Sequence, residues 1–114
     1  MRLAALDVGS NSVKLQIVDA YPGAPPLPIF AVRAPLRLVE SLDDRGALAP
    51  SGVKTLVAAV HRAVEVAHAQ GVSEIIGFST SALREATNGD DVRQTLEHET
   101  GLAISTLAAR TKPD

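Results

Sequence analysis

The sequence predicts an α/β domain: a mixed sheet with helices on its faces, in the element order βββαβαβ. Three observations carry that prediction. A short apolar run precedes a polar turn near the amino terminus and an alternating stretch follows it, apolar residues from Val53 to Val64 recur at helical spacing, and a short apolar run at 74–78 leads straight into hydroxyl residues suited to start a helix. Leading strands joined by a hairpin and followed by βαβ units give a mixed sheet with helices on its faces.

In order along the chain, Leu3, Ala4, Ala5 and Leu6 form a first apolar run that ends in the polar stretch Asp7, Val8, Gly9, Ser10, Asn11 and Ser12. Val13, Leu15 and Ile17 then alternate with Lys14 and Gln16, so the reading is strand, turn, strand. Prolines at 22, 25, 26 and 28 punctuate a loop, and residues 29–38 are apolar enough for a third strand. Pro35 interrupts it, which suits an edge or a bulge. Asp43, Asp44, Arg45 and Gly46 mark a turn, and Pro50, Ser51 and Gly52 a helix start. Val53, Leu56, Val57, Val60 and Val64 fall on one helical face, with Gly71 as the stop. After the strand at 74–78, Ser79, Thr80 and Ser81 offer caps for a helix beginning near Ala82. Asn88 to Asp91 interrupts it, a second helical segment runs from about 91 to 100 and ends at Gly101, and residues 102–107 alternate as a last strand.

Composition narrows the function. At 114 residues and 46% hydrophobic, the chain supports one ordinary domain. Its aromatics are Tyr21, Phe30 and Phe78, so the core is aliphatic and there is no platform for stacking single-stranded bases. Eleven Lys and Arg against thirteen Asp and Glu leave a net charge of −2, and no bulk basic field would draw in nucleic acid or an anionic membrane. The absence of cysteine removes disulfides, thiol nucleophiles and zinc–thiolate sites. The first residues lack the apolar run of a signal peptide or membrane span, and the expected address is cytoplasmic.

Two places concentrate chemistry. Asp7, Gly9, Ser10, Asn11 and Ser12 put a carboxylate, a tight backbone and three polar side chains within six residues. Backbone N–H groups and hydroxyls can converge there on phosphate oxygens, and the carboxylate can hold magnesium through water. By composition alone the same residues also make an ordinary hairpin turn, the commoner use of them. The second place is residues 79–85, where Arg84 sits in the first turn of a helix and could fork onto a phosphate; in isolation the commoner use of such an arginine is pairing with a nearby carboxylate at the surface. His61 and His68 lie two helical turns apart, too far to share a metal, and together with His98 they read as solvated positions. Asp90, Asp91, Glu97 and Glu99 read as a solvated acidic face.

Taken together, these residues resemble the exopolyphosphatase and guanosine pentaphosphate phosphatase (Ppx/GppA) family, a branch of the actin-like, sugar-kinase and Hsp70 superfamily. Residues 6–19 look like its first phosphate loop, and 36–48 its Arg-Leu-Gly-Glu-Gly-Leu segment. Residues 78–88 look like its Ala-Thr-Ser-Ala-x-Arg-Glu-Ala-x-Asn segment, and 99–101 its Thr-Gly turn. The resemblance covers residues 1 to about 107 and implies an incomplete ribonuclease-H-like domain, with 108–114 a tail outside the family pattern. It implies magnesium-dependent hydrolysis of terminal phosphoanhydride bonds in inorganic polyphosphate or guanosine pentaphosphate. Asp7 would hold the metal, Gly9, Ser10, Asn11 and Ser12 would bind phosphate, and Arg84 would contact the anionic substrate.

The chain also departs from that pattern. The glutamate that serves relatives as general base and their second phosphate loop have no counterpart here, and Val39 and Ser41 replace the glycines that flank Glu40. No catalytic residue is therefore expected in this chain. Three readings follow: the first part of a polyphosphate hydrolase, inactive alone; a non-catalytic polyphosphate or nucleotide-binding module; or a structural domain that forms a homodimer through its free sheet edge.

Overall fold

A computed structural model of the chain describes residues 1–23, 27–79 and 82–106, without the side chains of Leu27, Val39, Ala82, Arg84 and Thr106. The elements are β1 (Arg2–Val8), β2 (Ser12–Asp19), β3 (Leu27–Pro35), a 3₁₀ turn (Leu38–Ser41), α1 (Pro50–Ala69), β4 (Glu74–Ser79), α2 (Ala82–Glu85), α3 (Gly89–Thr100) and β5 (Ile104–Thr106). The five strands form one sheet in the order β3-β2-β1-β4-β5. β1, β2 and β3 make an antiparallel meander, while β4 pairs parallel with β1 and β5 parallel with β4. This is the mixed α/β sheet that the leading strands predict.

Alternation decides which face is buried. Pairing sets Leu6 opposite Leu15, Val8 opposite Val13 and Ala4 opposite Ile17, and all six are buried. Leu56, Val60, Ala63 and Ala67 of α1 and Val92 and Leu96 of α3 join them in a single core. The two helices also pack on each other, so the described helices gather on one face. On the opposite face the side chains are half-buried or exposed, with Ile76 51% exposed.

The ends of the elements follow from local chemistry. Pro50 occupies the first turn of α1, where its missing N–H costs nothing. Gly101 takes the left-handed conformation (φ 77°) after α3, and its N–H donates to the Glu97 carbonyl. β3 is an edge strand with prolines at 28 and 35, where their lost donors face no neighbour, and a bulge leaves Ile29 out of the pairing. The third strand stops at Pro35 rather than running to 38. Leu36 and Leu38 turn inward instead, and both are buried.

Candidate functional site

Because β1, β4 and β5 are parallel, Val8, Ser79 and Thr106 sit side by side at one edge of the sheet. A crevice beyond the carboxyl ends of parallel strands is where open α/β sheets bind ligands. The connection between β1 and β2 lies there. The turn proper is Gly9, Ser10 and Asn11, closed by the Gly9 N–H donating to the Ser12 carbonyl at 2.9 Å. Asp7 and Ser12, read from sequence as part of the turn, belong to the flanking strands.

The loop is anchored by its carbonyls. The Leu36 N–H donates to the Asn11 carbonyl (2.6 Å) and the Leu38 N–H to the Ser10 carbonyl (3.2 Å), so the chain leaving β3 braces the loop from one side. Among the described residues, nothing accepts from the N–H groups of Ser10 and Asn11, and no hydrogen bond uses the side chains of Ser10, Asn11 or Ser12. Oxygens engaged and donors free is an arrangement suited to an anion.

Two buried polar atoms flank the loop without a partner, Asp7 Oδ1 and Ser79 Oγ. They sit on adjacent strands, yet on opposite faces of the sheet, since Asp7 pairs with Phe78 and Val8 with Ser79. Asp7 Oδ1 is a hard oxygen held at the loop's base, which fits a water-mediated magnesium contact. Among the described residues no three His, Asp or Glu groups come together that could hold a metal ion. The buried hydroxyl of Ser79 is a feature that the strand pattern conceals, because serine at that position reads only as a helix cap. Lys14 lies opposite Asp7 in the strand register and Arg33 opposite Lys14, both exposed on the uncovered face.

Arg84 lies in α2, which contacts the end of β4; its side chain, together with Thr80 and Ser81, lies outside the described residues. Glu40 is exposed in the 3₁₀ turn, where its carboxylate accepts from Arg37 at 3.3 Å. Beside Ser10 is a cleft of about 250 Å³ walled by Leu38, Leu42, Leu48 and Leu83. A larger groove of about 450 Å³ lies between α1 and α3, with Leu48 and Asn88 in its lining. His61, His68 and His98 are exposed, as are Asp90, Asp91, Glu97 and Glu99.

One contact near the site is absent from any sequence periodicity. The Asn88 carboxamide accepts from the Leu48 N–H (2.9 Å) and donates to the Leu48 carbonyl (3.1 Å), while the Thr87 N–H donates to the Gly46 carbonyl (3.0 Å). Its one outward sign in the sequence is that Asn88 closes the 78–88 segment.

A sheet of this order, with a polar loop between its first two strands beyond the ends of its parallel strands, has the fold of the actin-like, ribonuclease-H-like class. The chain belongs to the Ppx/GppA phosphatase family, whose pattern it matches over residues 16–111. It is 42% identical over 107 residues to Exopolyphosphatase 1 of Mycobacterium leprae, an alignment covering 94% of this chain and 32% of that protein. Its fold matches the crystal structure of the Aquifex aeolicus Ppx/GppA family member with a TM-score of 0.86 at 22% identity, over 96% of this chain and 35% of that one. The exopolyphosphatase of Cytophaga hutchinsonii gives 0.85 at 17% identity, over 95% and 34%. The chain thus spans about a third of the length of the curated relatives it matches.

Proposed function

We propose that this chain is the amino-terminal portion of an exopolyphosphatase-type hydrolase, with residues 1–107 its first part and 108–114 a tail. In this reading it binds the terminal phosphates of inorganic polyphosphate or guanosine pentaphosphate with magnesium in the cytoplasm, and does not hydrolyse them alone. The observation that carries the reading is the loop with its carbonyls engaged and the Ser10 and Asn11 N–H groups free, next to the unpartnered Asp7 Oδ1. Its membership in the Ppx/GppA phosphatase family supports the same assignment.

The roles follow from the chemistry of each group. The free N–H groups and the hydroxyls of Ser10 and Ser12 donate to terminal phosphate oxygens, with Gly9 keeping the turn tight and the Asn11 amide adding a donor. Asp7 holds magnesium through water, and when bound the ion neutralises charge on the phosphate chain. Arg84 meets the anionic chain from α2. What this chain supplies is positioning and charge neutralisation; the attacking water needs a general base that these residues do not include.

A thermal melt with and without long-chain polyphosphate and magnesium tests the reading. A ligand at about a hundred times its dissociation constant adds roughly 2.7 kcal/mol, several degrees for a domain of this size. The melting point is expected to rise, Asp7→Ala to remove the rise, and phosphate release to stay at background. A melting point indifferent to polyphosphate would overturn the binding; steady magnesium-dependent phosphate release would overturn the inactivity.

A further inference from the structure

We infer that Asn88 is a positioning residue for the phosphate site, holding α2, and with it Arg84, at a set distance from the loop at Gly9–Ser12. This rests on the phosphate-binding reading above. The residues that would touch the ligand stand on segments distant in sequence, the loop at 9–12 and α2 at 82–85. Besides the pairing of Val8 with Ser79 in the sheet, the intervening hairpin links them; in it Leu42 bridges Leu48 and Asp43 Oδ1 caps the turn by accepting from the Arg45 and Ala47 N–H groups.

At one end the segment that enters the hairpin through the 3₁₀ turn is tied to the loop, through the Leu36 and Leu38 N–H groups on the Asn11 and Ser10 carbonyls. At the other it is tied to the turn that follows α2, through Thr87 on Gly46 and through both polar atoms of the Asn88 carboxamide on Leu48. A carboxamide offers a donor and an acceptor side by side, as a peptide group does, so Asn88 docks on Leu48 as one more strand residue would. Both carboxamide bonds run from the turn after α2 to the hairpin, across 40 residues of sequence. Aspartate keeps the shape and the acceptor but loses the donor and brings a negative charge to the Leu48 carbonyl. Alanine loses both bonds.

The experiment measures the affinity of the full chain for long-chain polyphosphate in the wild type, Asn88→Ala, Arg84→Ala and the double variant. Backbone residual dipolar couplings report in parallel how residues 82–86 lie against β1 and β4. Each single variant is expected to bind about tenfold more weakly. The double variant is expected to bind no more weakly than Arg84→Ala, because Asn88 acts through the arm that carries Arg84. The couplings of 82–86 should change in Asn88→Ala and not in Arg84→Ala. If Asn88→Ala fails to fold, Asn88→Asp takes its place in the same cycle. Equal losses in both backgrounds, or unchanged couplings, overturn the inference while leaving the phosphate reading intact. A wild type that does not bind polyphosphate overturns that reading and the ligand role of Asn88 together, whatever the couplings show.

Discussion

The carbonyl oxygen of Leu83 occupies the space where a side chain on residue 89 would begin, so a Cβ at Gly89 would collide with it. α2 is therefore packed backbone to backbone against the start of α3, and both Leu83 and Gly89 are buried. Gly89→Ala forces one helix off the other, with an expected loss of about 3 kcal/mol. A urea titration checks this: the midpoint should fall with the slope unchanged, and a midpoint equal to wild type would refute the packing.

A second prediction concerns acid. The Arg2 guanidinium donates to both carboxylate oxygens of Asp19, at 2.8 and 3.1 Å, and this hydrogen bonding holds the Asp19 carboxyl below its ordinary range. It raises the Arg2 pKa in turn. A carboxyl with a depressed folded-state pKa stabilises above the unfolded value, and that contribution disappears as pH falls through the depressed one. Melting points should therefore drop more steeply below about pH 4 in the wild type than in Asp19→Asn. Parallel curves for the two proteins would remove the pair from the account of acid stability.

A third prediction concerns the buried carboxylate oxygen of Asp7. One of its oxygens is buried with no hydrogen-bond partner, a position that costs folding energy. Replacing it is expected to leave stability unchanged or raise it by about 1 kcal/mol while removing the polyphosphate effect. The check is the melting point of Asp7→Ala in plain buffer; a clear fall would mean that the carboxylate already has a structural partner.

Within the core, Leu56 is fully buried between α1 and the sheet, whereas Val57 is only half-buried. Leu56→Ala should cost about 3 kcal/mol and Val57→Ala about 1. Similar losses at the two positions in chemical denaturation would mean that α1 is rotated about its axis.

Much of this fold was legible because its signals are local. The apolar run at 3–6, the alternation at 13–17, the helical spacing at 53–64 and Gly71 and Gly101 each report on neighbours in the chain, and the elements formed there. Ala63 and Ala67 escaped notice, since alanine scarcely marks an apolar face, yet their small side chains complete the buried stripe of α1. The third strand was read three residues too long, because Leu36 and Leu38 continue its apolar character. Their N–H groups are instead committed to the loop carbonyls, a tertiary demand that propensity does not carry. The loop residues were found at their places, but the state of their hydrogen bonds was not. Whether a carbonyl or an N–H is engaged depends on segments tens of residues away, and the Asn88 to Leu48 contact across 40 residues is of the same kind.

The parallel pairing of β1 with β4, in which Leu3 meets Glu74, has a consequence for the life history of the chain. The meander of the first three strands can zip up from near neighbours, whereas the middle of the sheet stays open until seventy-odd further residues have been made and looped back. During synthesis the first strand leaves the ribosome with one edge unsatisfied and waits for its second neighbour. The slow step in maturation is then the arrival of residues 74–79, and any delay before them prolongs the interval in which that bare edge can pair with the wrong partner.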